Sequence, residues 1–422
     1  MLDMRYVREN LQTVRDGTHR KGFEVDLDQL LKLDDRRREL QTELDELRRR
    51  QKQSGKQIAR LQGPEKEQAV AEMSHLSERV KELQGTVKEV IRQRDDLLCR
   101  VPNPPDSEVP DGVDDSENVQ ISQWGEIPEF DFEPQDHVTI GLKLGILEFQ
   151  RASKLAGPQT YITLREGALL ELAVLRFALD HMLTKGFVPM IVPNLVKYET
   201  LYGTAYFPGG EEQAYLCDRD RLYLAGTSEV PVTSFHSGEM LSEDDLPLYY
   251  CGYSTCYRRE AGAAGRDTRG LYRIHQFNKV EQVVLCKNDE QESKKQHQFI
   301  LQNCEEILQA LELPYRVVNV CTGELGMGQV QKFDVECWMP SRGWGETHSA
   351  SRFHEYQARR LELRYRGKDE KVHFCHTLNN TAIATPRVLI SILENNQLAN
   401  GGVRIPPVLV PYIGGQEQIQ PR

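Results

Sequence analysis

No stretch of the 422 residues is apolar enough for long enough to cross a bilayer: the best helical candidate, Ala168 to Leu179, is broken by Glu171 and Arg176. The opening residues, Met1 to Asn10, scatter charges and hold no apolar h-region of a secretory signal. A cytoplasmic enzyme or binding protein with no membrane partner is therefore expected. Cysteine is sparse and unpatterned, nine residues with no Cys-x-x-Cys pair, which argues against a disulfide framework and for reduced, structural thiols. The nearest approach to a metal signature is His373-Phe-Cys375-His376, whose alternation is also that of a strand. No partner pair at ligand spacing follows it, so zinc is not expected. The chain has no Gly-x-x-x-x-Gly-Lys-Ser/Thr, and Gly323-Glu-Leu-Gly326-Met-Gly328 lacks the third spacing of a dinucleotide fingerprint, so any ATP is held without a P-loop. Eleven histidines give no nucleophile, base and orienter arrangement. An excess of basic charge is missing too: 53 Lys and Arg against 64 Asp and Glu leave −11, which excludes a uniformly basic coat.

What is present is an ordinary globular composition, 39% hydrophobic and 28% charged, long enough for two or three domains. From Leu30 the apolar positions Leu33, Leu40, Leu44, Leu47, Ile58 and Leu61 keep a three-four register, interrupted at Arg37, Gln51 and Ser54. After Gly63-Pro64 the register restarts at Val70, Met73, Leu76, Val80, Leu83, Val87, Val90 and Leu97. Two matched helices joined by a short turn predict an antiparallel hairpin about 50 Å long, an arm that projects from the body. Residues 27–98 carry 16 basic and 15 acidic side chains, so the acidity of the chain sits elsewhere. Most of these charges, including Arg36 to Arg38 and Arg48 to Arg50, read as the solvated face of a coiled coil. The residues alone leave open whether some of them meet nucleic acid phosphates or the arm docks a protein.

The proline-rich run Val101 to Pro110 and the acidic run Asp111 to Glu117 form a linker. Strand-like segments follow (Ala214 to Leu224, Tyr249 to Tyr257, Gln276 to Leu285, Leu361 to Tyr365), mixed with amphipathic helices (Gly167 to Lys185, Glu290 to Leu311, Pro386 to Gln397). Hairpin-joined strands with flanking helices predict an α+β domain.

Three segments carry more chemistry than a core requires. Tyr257 to Glu281 reads as strand, glycine-rich loop, strand, with Arg258, Glu260, Gln276 and Glu281 facing one another across a hairpin. A guanidinium fork suits a phosphate or carboxylate, and the glutamates suit an amine, an adenine amino group or a magnesium-bound water. The alternative is a surface hairpin laced with salt bridges. Trp344-Gly-Glu346-Thr-His-Ser349-Ala-Ser-Arg-Phe353 groups hydroxyls around a carboxylate, as a hard cation prefers, but by itself reads as a turn or helix N-cap. His376 to Arg387 ends in an arginine opening an apolar helix, a seat for a terminal phosphate.

Together with Met1-Leu-Asp-Met-Arg, Val101-Pro-Asn-Pro-Pro, Thr227-Ser-Glu229, Ala261 to Gly270, Phe353 to Arg360 and His376-Thr-Leu-Asn379, these segments closely resemble the bacterial-type seryl-tRNA synthetases, a class II aminoacyl-tRNA synthetase family. The resemblance runs the length of the chain. Gly186 to Pro193 resembles the family's first motif, which builds the dimer interface, Tyr257 to Glu281 the second and Ala384 to Asn395 the third. It implies an N-terminal tRNA-binding domain over residues 1–105, with its arm at about 27–98, and a class II catalytic domain over 106–422. The implied catalytic fold is an antiparallel sheet flanked by helices, in a homodimer whose arm grips serine tRNA, and also selenocysteine tRNA, by shape. The implied reaction joins L-serine to ATP as seryl-adenylate and then to tRNA, with magnesium and no enzyme nucleophile.

By resemblance, Arg258, Glu281 and Arg387 are catalytic, and Thr227, Ser228, Glu229, Arg258, Glu281, Asn379 and Thr381 bind serine. ATP falls to Arg258, Arg259, Glu260, Ile274, His275, Gln276, Phe277, Glu346, Thr347, His348, Ser349 and Arg387, with magnesium on Glu346 and Ser349. Thr347-His348, Asn380-Thr381-Ala382 and Thr385-Pro386 depart from frequent family residues, but none removes a charge the reaction needs, and His348 reads as filling space. A site built to hydrogen-bond a hydroxyl rejects alanine by stranding its own polar groups. Two other readings, an inert tRNA-binding relative and a ligase acting on a carrier protein, sit poorly with the intact arginines and the long arm.

Overall fold

The computed structural model describes residues 1–58, 61–262 and 269–422. The chain forms two compact units, Leu2–Pro102 and Asn103–Arg422, the second including Met1.

The first unit holds helices α1 (Met4–Glu9), α2 (Leu11–Arg20), α3 (Leu27–Ile58) and α4 (Pro64–Leu98). Helices α3 and α4 pair through Leu40, Leu44, Val80, Leu83 and Val87, with Leu47, Val90 and Ile91 at the margin. All but Ile91 are heptad positions expected from the sequence. Burial is confined to the basal half of the hairpin, and Val70 is exposed. A charge is buried near the base of the pair: Asp34 is fully buried and meets Arg8 at 2.8 Å, Arg37 at 3.2 Å, Arg38 at 3.2 Å and Arg94 at 3.5 Å. A buried carboxylate is tolerable only with such company. Arg37, read in the sequence as an interruption, is part of that company.

The second unit is built on an eight-stranded sheet. Its strands are β1 (Val119–Trp124), β2 (Val188–Ile191), β3 (Leu248–Tyr257), β4 (Gln276–Cys286), β5 (Tyr315–Asn319), β6 (Gln331–Met339), β7 (Gly343–Arg352) and β8 (His376–Ala384), in the order β1-β5-β6-β7-β8-β4-β3-β2. All pairs are antiparallel except β2 with β3. Helices α5 (Arg165–Thr184), α6 (Glu290–Ala310) and α7 (Arg387–Asn395) share one core with the sheet: Val174, Ile300, Ile307 and Ile392 pack with Val280, Val284, Val335, Ala350 and Leu378. Strand periodicity then decides the rest. On β4, Val280 and Val284 belong to this helix-covered core, so Phe277, Lys279 and Glu281 emerge on the other face.

Two expectations are corrected. Trp344 to Phe353 is neither turn nor cap: nearly all of it lies in β7, between β6 and β8. Its apolar content was too low to read as a strand because one face of the strand lines a polar cavity. Leu361 to Tyr365 is not a strand throughout. Leu361 ends the helix Tyr356–Leu361, Glu362 turns with φ of 53°, and the strand is only Arg364–Arg366.

Candidate active site

The open face of the sheet carries a cavity of about 220 Å³. Its walls include Thr227, Glu229, Arg258, Glu260, Ile274, Phe277, Glu281, Glu346, Thr347, His348, Ser349, Asn379, Thr381 and Arg387, fourteen residues singled out from the sequence. Two bulges shape it. Val335 lies opposite His348 and Glu336 opposite Glu346, which leaves Thr347 as the extra residue of β7. Residues three apart on a regular strand face opposite ways, whereas the bulge turns Glu346 and Ser349 to the same cavity. On β8, Ala382 is the extra residue, and Thr381 comes opposite Glu281.

At one end two buried carboxylates stand in different company. Glu281 Oε2 lies 2.5 Å from Lys279 Nζ and accepts from the Thr381 hydroxyl at 3.3 Å. Glu229 accepts from Tyr206 Oη and Gln357 Nε2, both at 2.8 Å, and among the described residues no cation pairs with it. Burial, reinforced by the neighbouring Glu281, pushes the Glu229 carboxyl up to about 7. Thr227 completes this end, its hydroxyl receiving Lys279 Nζ at 2.6 Å.

Cations gather round the remainder of the cavity. Arg258 follows the last residue of β3, held by Gly226 O at 3.3 Å, with its guanidinium 5.2 Å from the centre of the Phe277 ring. Arg387 opens α7 and donates to Glu346 O at 2.9 Å, Glu346 Oε2 at 3.2 Å and Tyr272 O at 3.2 Å. Burial opposes ionisation of Glu346, but Arg387, Lys332 and Arg258 outweigh it and hold the carboxyl below its ordinary value. Behind it, Asp334 is pushed up to about 6 by burial and by Glu346, against the pull of Lys332 at 3.4 Å. Glu260 takes Arg273 Nη1 at 3.1 Å from a left-handed backbone, φ 52°.

Four of the expected residues lie outside this wall. Ser228 is fully buried, and its hydroxyl donates to Gly252 O at 2.9 Å. Only a glycine at position 252 allows that approach, since a Cβ there would meet Ser228 Cβ at 3.0 Å. Arg259 is exposed and donates to Glu212 O at 3.1 Å, because neighbouring residues of an extended chain point opposite ways and Arg258 takes the inward direction. His275 is committed to Arg258 O at 3.0 Å, and Gln276 is exposed at the start of β4. Pro386 immediately precedes the first helical residue of α7, one place earlier than the first-turn position expected for it. His348 lies between the Thr347 hydroxyl at 2.8 Å and Ala382 O at 3.2 Å, and burial lowers its imidazole to about 4. Within the expected glycine-rich loop, residues 263–268 lie outside the described residues.

Sequence reading missed Lys279, Tyr206, Lys332 and Gln357. Lys279 was within reach, since it shares strand parity with Phe277 and Glu281. The others come from distant segments and had no local signal.

The zinc-like run is dispersed. His373 pairs with Asp369 at 3.1 Å, Cys375 is buried in an apolar cluster, and His376 stacks on His354 with ring centres 4.8 Å apart. Among the described residues no three His, Cys, Asp or Glu side chains converge as a metal cage. Glu346 and Ser349 are hard oxygen donors on one face, which fits magnesium arriving with phosphates rather than a closed protein site.

Comparison with known proteins gives one answer over both units. Residues 1–105 match the seryl-tRNA synthetase N-terminal domain, and residues 215–396 match the tRNA synthetase class II core domain (G, H, P, S and T). Serine–tRNA ligases of Deinococcus radiodurans and Rubrobacter xylanophilus are 44% and 43% identical, over 99% and 98% of this chain and 98% of theirs. The crystal structure of seryl-tRNA synthetase from Pyrococcus horikoshii complexed with ATP superposes with a TM-score of 0.93 at 39% identity, covering all of both chains. The cytoplasmic serine–tRNA ligase of Naegleria fowleri in complex with AMP gives 0.89 at 32% identity, over 100% of this chain and 99% of that one.

Proposed function

The chain belongs to the seryl-tRNA synthetases, ligases of class II that use ATP, and from that membership we propose how its cavity divides the work. The supporting observation is the charge layout: two carboxylates and two threonines at one end, arginines around a phenylalanine and a glutamate beyond. Serine occupies the first end. Its ammonium pairs with Glu229, which among the described residues has no paired cation, and its hydroxyl donates to Glu281 beside Thr381. Asn379 and Thr227 border the same space. ATP occupies the other part, with adenine stacked on Phe277 beside Ile274, its amino group read by Glu260, the α-phosphate on Arg258 and the γ-phosphate on Arg387.

A serine carboxylate oxygen then attacks the α-phosphorus, the bond to the bridging oxygen breaks, and pyrophosphate leaves. Arg258 and Arg387 are fixed by backbone carbonyls before substrate arrives, so their charges oppose the developing anion without reorganisation. Magnesium, when bound through Glu346 and Ser349, neutralises phosphate charge. No enzyme nucleophile is needed. In the second step the terminal ribose hydroxyl of tRNA attacks the acyl carbon and AMP departs.

The arm of α3 and α4 grips the long variable arm of serine tRNA, and of selenocysteine tRNA where one exists, by backbone and shape. A homodimer working in the cytoplasm completes the reading. Its contact runs along β2, where Val188 and Ile191 are 54% and 89% exposed. Among the described residues no helix is long and apolar enough to cross a membrane.

The deciding experiment is amino-acid-dependent exchange of labelled pyrophosphate into ATP without tRNA, with serine beside threonine, alanine, glycine and cysteine. Exchange with serine alone is expected. Exchange with none of them refutes the reading and favours an inert tRNA-binding relative.

A further inference from the structure

The roles proposed above leave a buried charge at the serine end of the cavity unused. Lys279 lies on β4 between Phe277 and Glu281 at the same parity, with its side chain only 6% exposed. Its ammonium is 2.5 Å from Glu281 Oε2 and donates to Thr227 Oγ1 at 2.6 Å. The Thr381 hydroxyl donates to the same Glu281 oxygen at 3.3 Å. Glu229, by contrast, is held among the described residues only by the neutral donors of Tyr206 and Gln357. The two carboxylates of this end are therefore not equivalent, for one is already balanced and the other is open.

That asymmetry fixes the charge a ligand can bring. With Glu229, Glu281 and Lys279 all ionised, this end carries one net negative charge, which matches an amino acid with one ammonium and a neutral side chain. A buried charge left without a partner is strongly unfavourable. With the lysine removed, the same end carries two negative charges and matches two ammoniums. L-2,3-diaminopropionate with both amines protonated brings those two ammoniums: it is serine with an ammonium in place of the hydroxyl, with the same number of heavy atoms. Shape cannot exclude it, so the exclusion has to be electrostatic.

We propose that Lys279 sets the charge specificity of the side-chain subsite, acting through Glu281 as a positioning residue that admits a neutral hydroxyl and excludes an ammonium. The proposal rests on the assignment of this end of the cavity to serine. Balanced by Lys279, Glu281 remains a good acceptor for a hydroxyl but has no unpaired charge to offer a second cation. The lysine ammonium, buried beside the same oxygen, repels an incoming one.

The test uses the full-length enzyme and pyrophosphate exchange, with serine and L-2,3-diaminopropionate assayed side by side. Lys279→Met and Lys279→Gln should move the ratio of kcat/KM for the two amino acids toward diaminopropionate by about 100-fold, mainly through KM, whereas Lys279→Arg should keep the wild-type ratio. A lysine kept only for structure would change activity and leave that ratio alone. A ratio within about threefold of wild type in both neutral variants overturns the proposal, as does an arginine variant that behaves like the methionine one. A folded neutral variant that exchanges neither amino acid and binds neither by calorimetry also overturns it. If the neutral variants do not fold, wild-type enzyme decides: diaminopropionate must inhibit serine exchange more weakly than the smaller alanine, and equal or stronger inhibition refutes the claim. Glu281→Gln separates this proposal from the reading beneath it. An unchanged serine KM in that variant removes the serine pocket itself, whereas a raised KM beside an unmoved Lys279 ratio removes only the role of the lysine.

Discussion

Glu229 and Glu281 are the same residue type in one cavity, and their neighbours give them different chemistry. Glu229 holds its proton to about pH 7, above the unfolded value, because burial and the neighbouring Glu281 outweigh the hydrogen bonds from Tyr206 and Gln357 and the pull of Lys279. In the free enzyme this stabilises the folded state at low pH, and that contribution is lost as pH rises through about 7. Serine supplies a cation and favours the ionised form. The KM for serine should therefore fall as pH rises between about 6 and 8, and Glu229→Gln should raise KM and flatten that limb, as measured by pyrophosphate exchange across pH. Arg258 is the residue proposed to meet the α-phosphate, so Arg258→Ala should abolish exchange while circular dichroism and melting stay close to wild type. Retention of most activity would remove Arg258 from the mechanism. His348, already satisfied by Thr347 and Ala382, should matter for packing alone. His348→Ser should leave the magnesium dependence of exchange unchanged and cost about 1–3 kcal/mol in denaturant unfolding.

Among the elements, the α3–α4 hairpin divides into an ionic base at Asp34, an apolar seam from Leu40 to Val87, and a distal part with little burial. That division says where it can be cut. Replacing residues 38–90 by a short glycine–serine turn keeps Arg8, Asp34, Arg37 and Arg94 together and removes the proposed tRNA grip. Serine-dependent exchange should survive and charging of serine tRNA should fall below detection; a variant that still charges tRNA would show the arm is not the grip. Strand β7 carries the other lesson at this scale. Its polar residues read locally as a turn, yet β6 and β8 hydrogen-bond it on both sides. Pairing partners outweigh composition once a strand is central in a sheet.

For the whole molecule, the exposed apolar residues of β2 are the surface expected to meet a second copy. A strand edge with Ile191 89% exposed is a liability for a monomer and an asset for a dimer. Ile191→Asp should shift the molecule to monomer in light scattering and lower exchange activity with it, while a dimer unaffected by that charge would place the contact elsewhere. The heptads, the linker, the strand–loop–strand segment and the arginine at the start of α7 could all be read from the sequence. Each is a local pattern whose spacing is set by helix or strand geometry. Fourteen cavity residues were also named in advance, a few from the unusual charge of their segments and the rest through the family resemblance those segments carry.

Other features required the assembled sheet. The bulge at Thr347 turns Glu346 and Ser349 to one side, and no one-dimensional spacing reports a bulge. Tyr206 and Gln357, distant in sequence from Glu229, meet it only when their segments pack together. The company Lys279 keeps is of the same kind. Its parity is written in the strand, but its contact with Thr227 depends on a segment 52 residues away. The sequence by itself determined which side chains could do the chemistry, because residue type and local periodicity are covalent facts. The tertiary structure decided which carboxylate is balanced and which is open, because distances between segments far apart in the chain exist only once the sheet has closed around them.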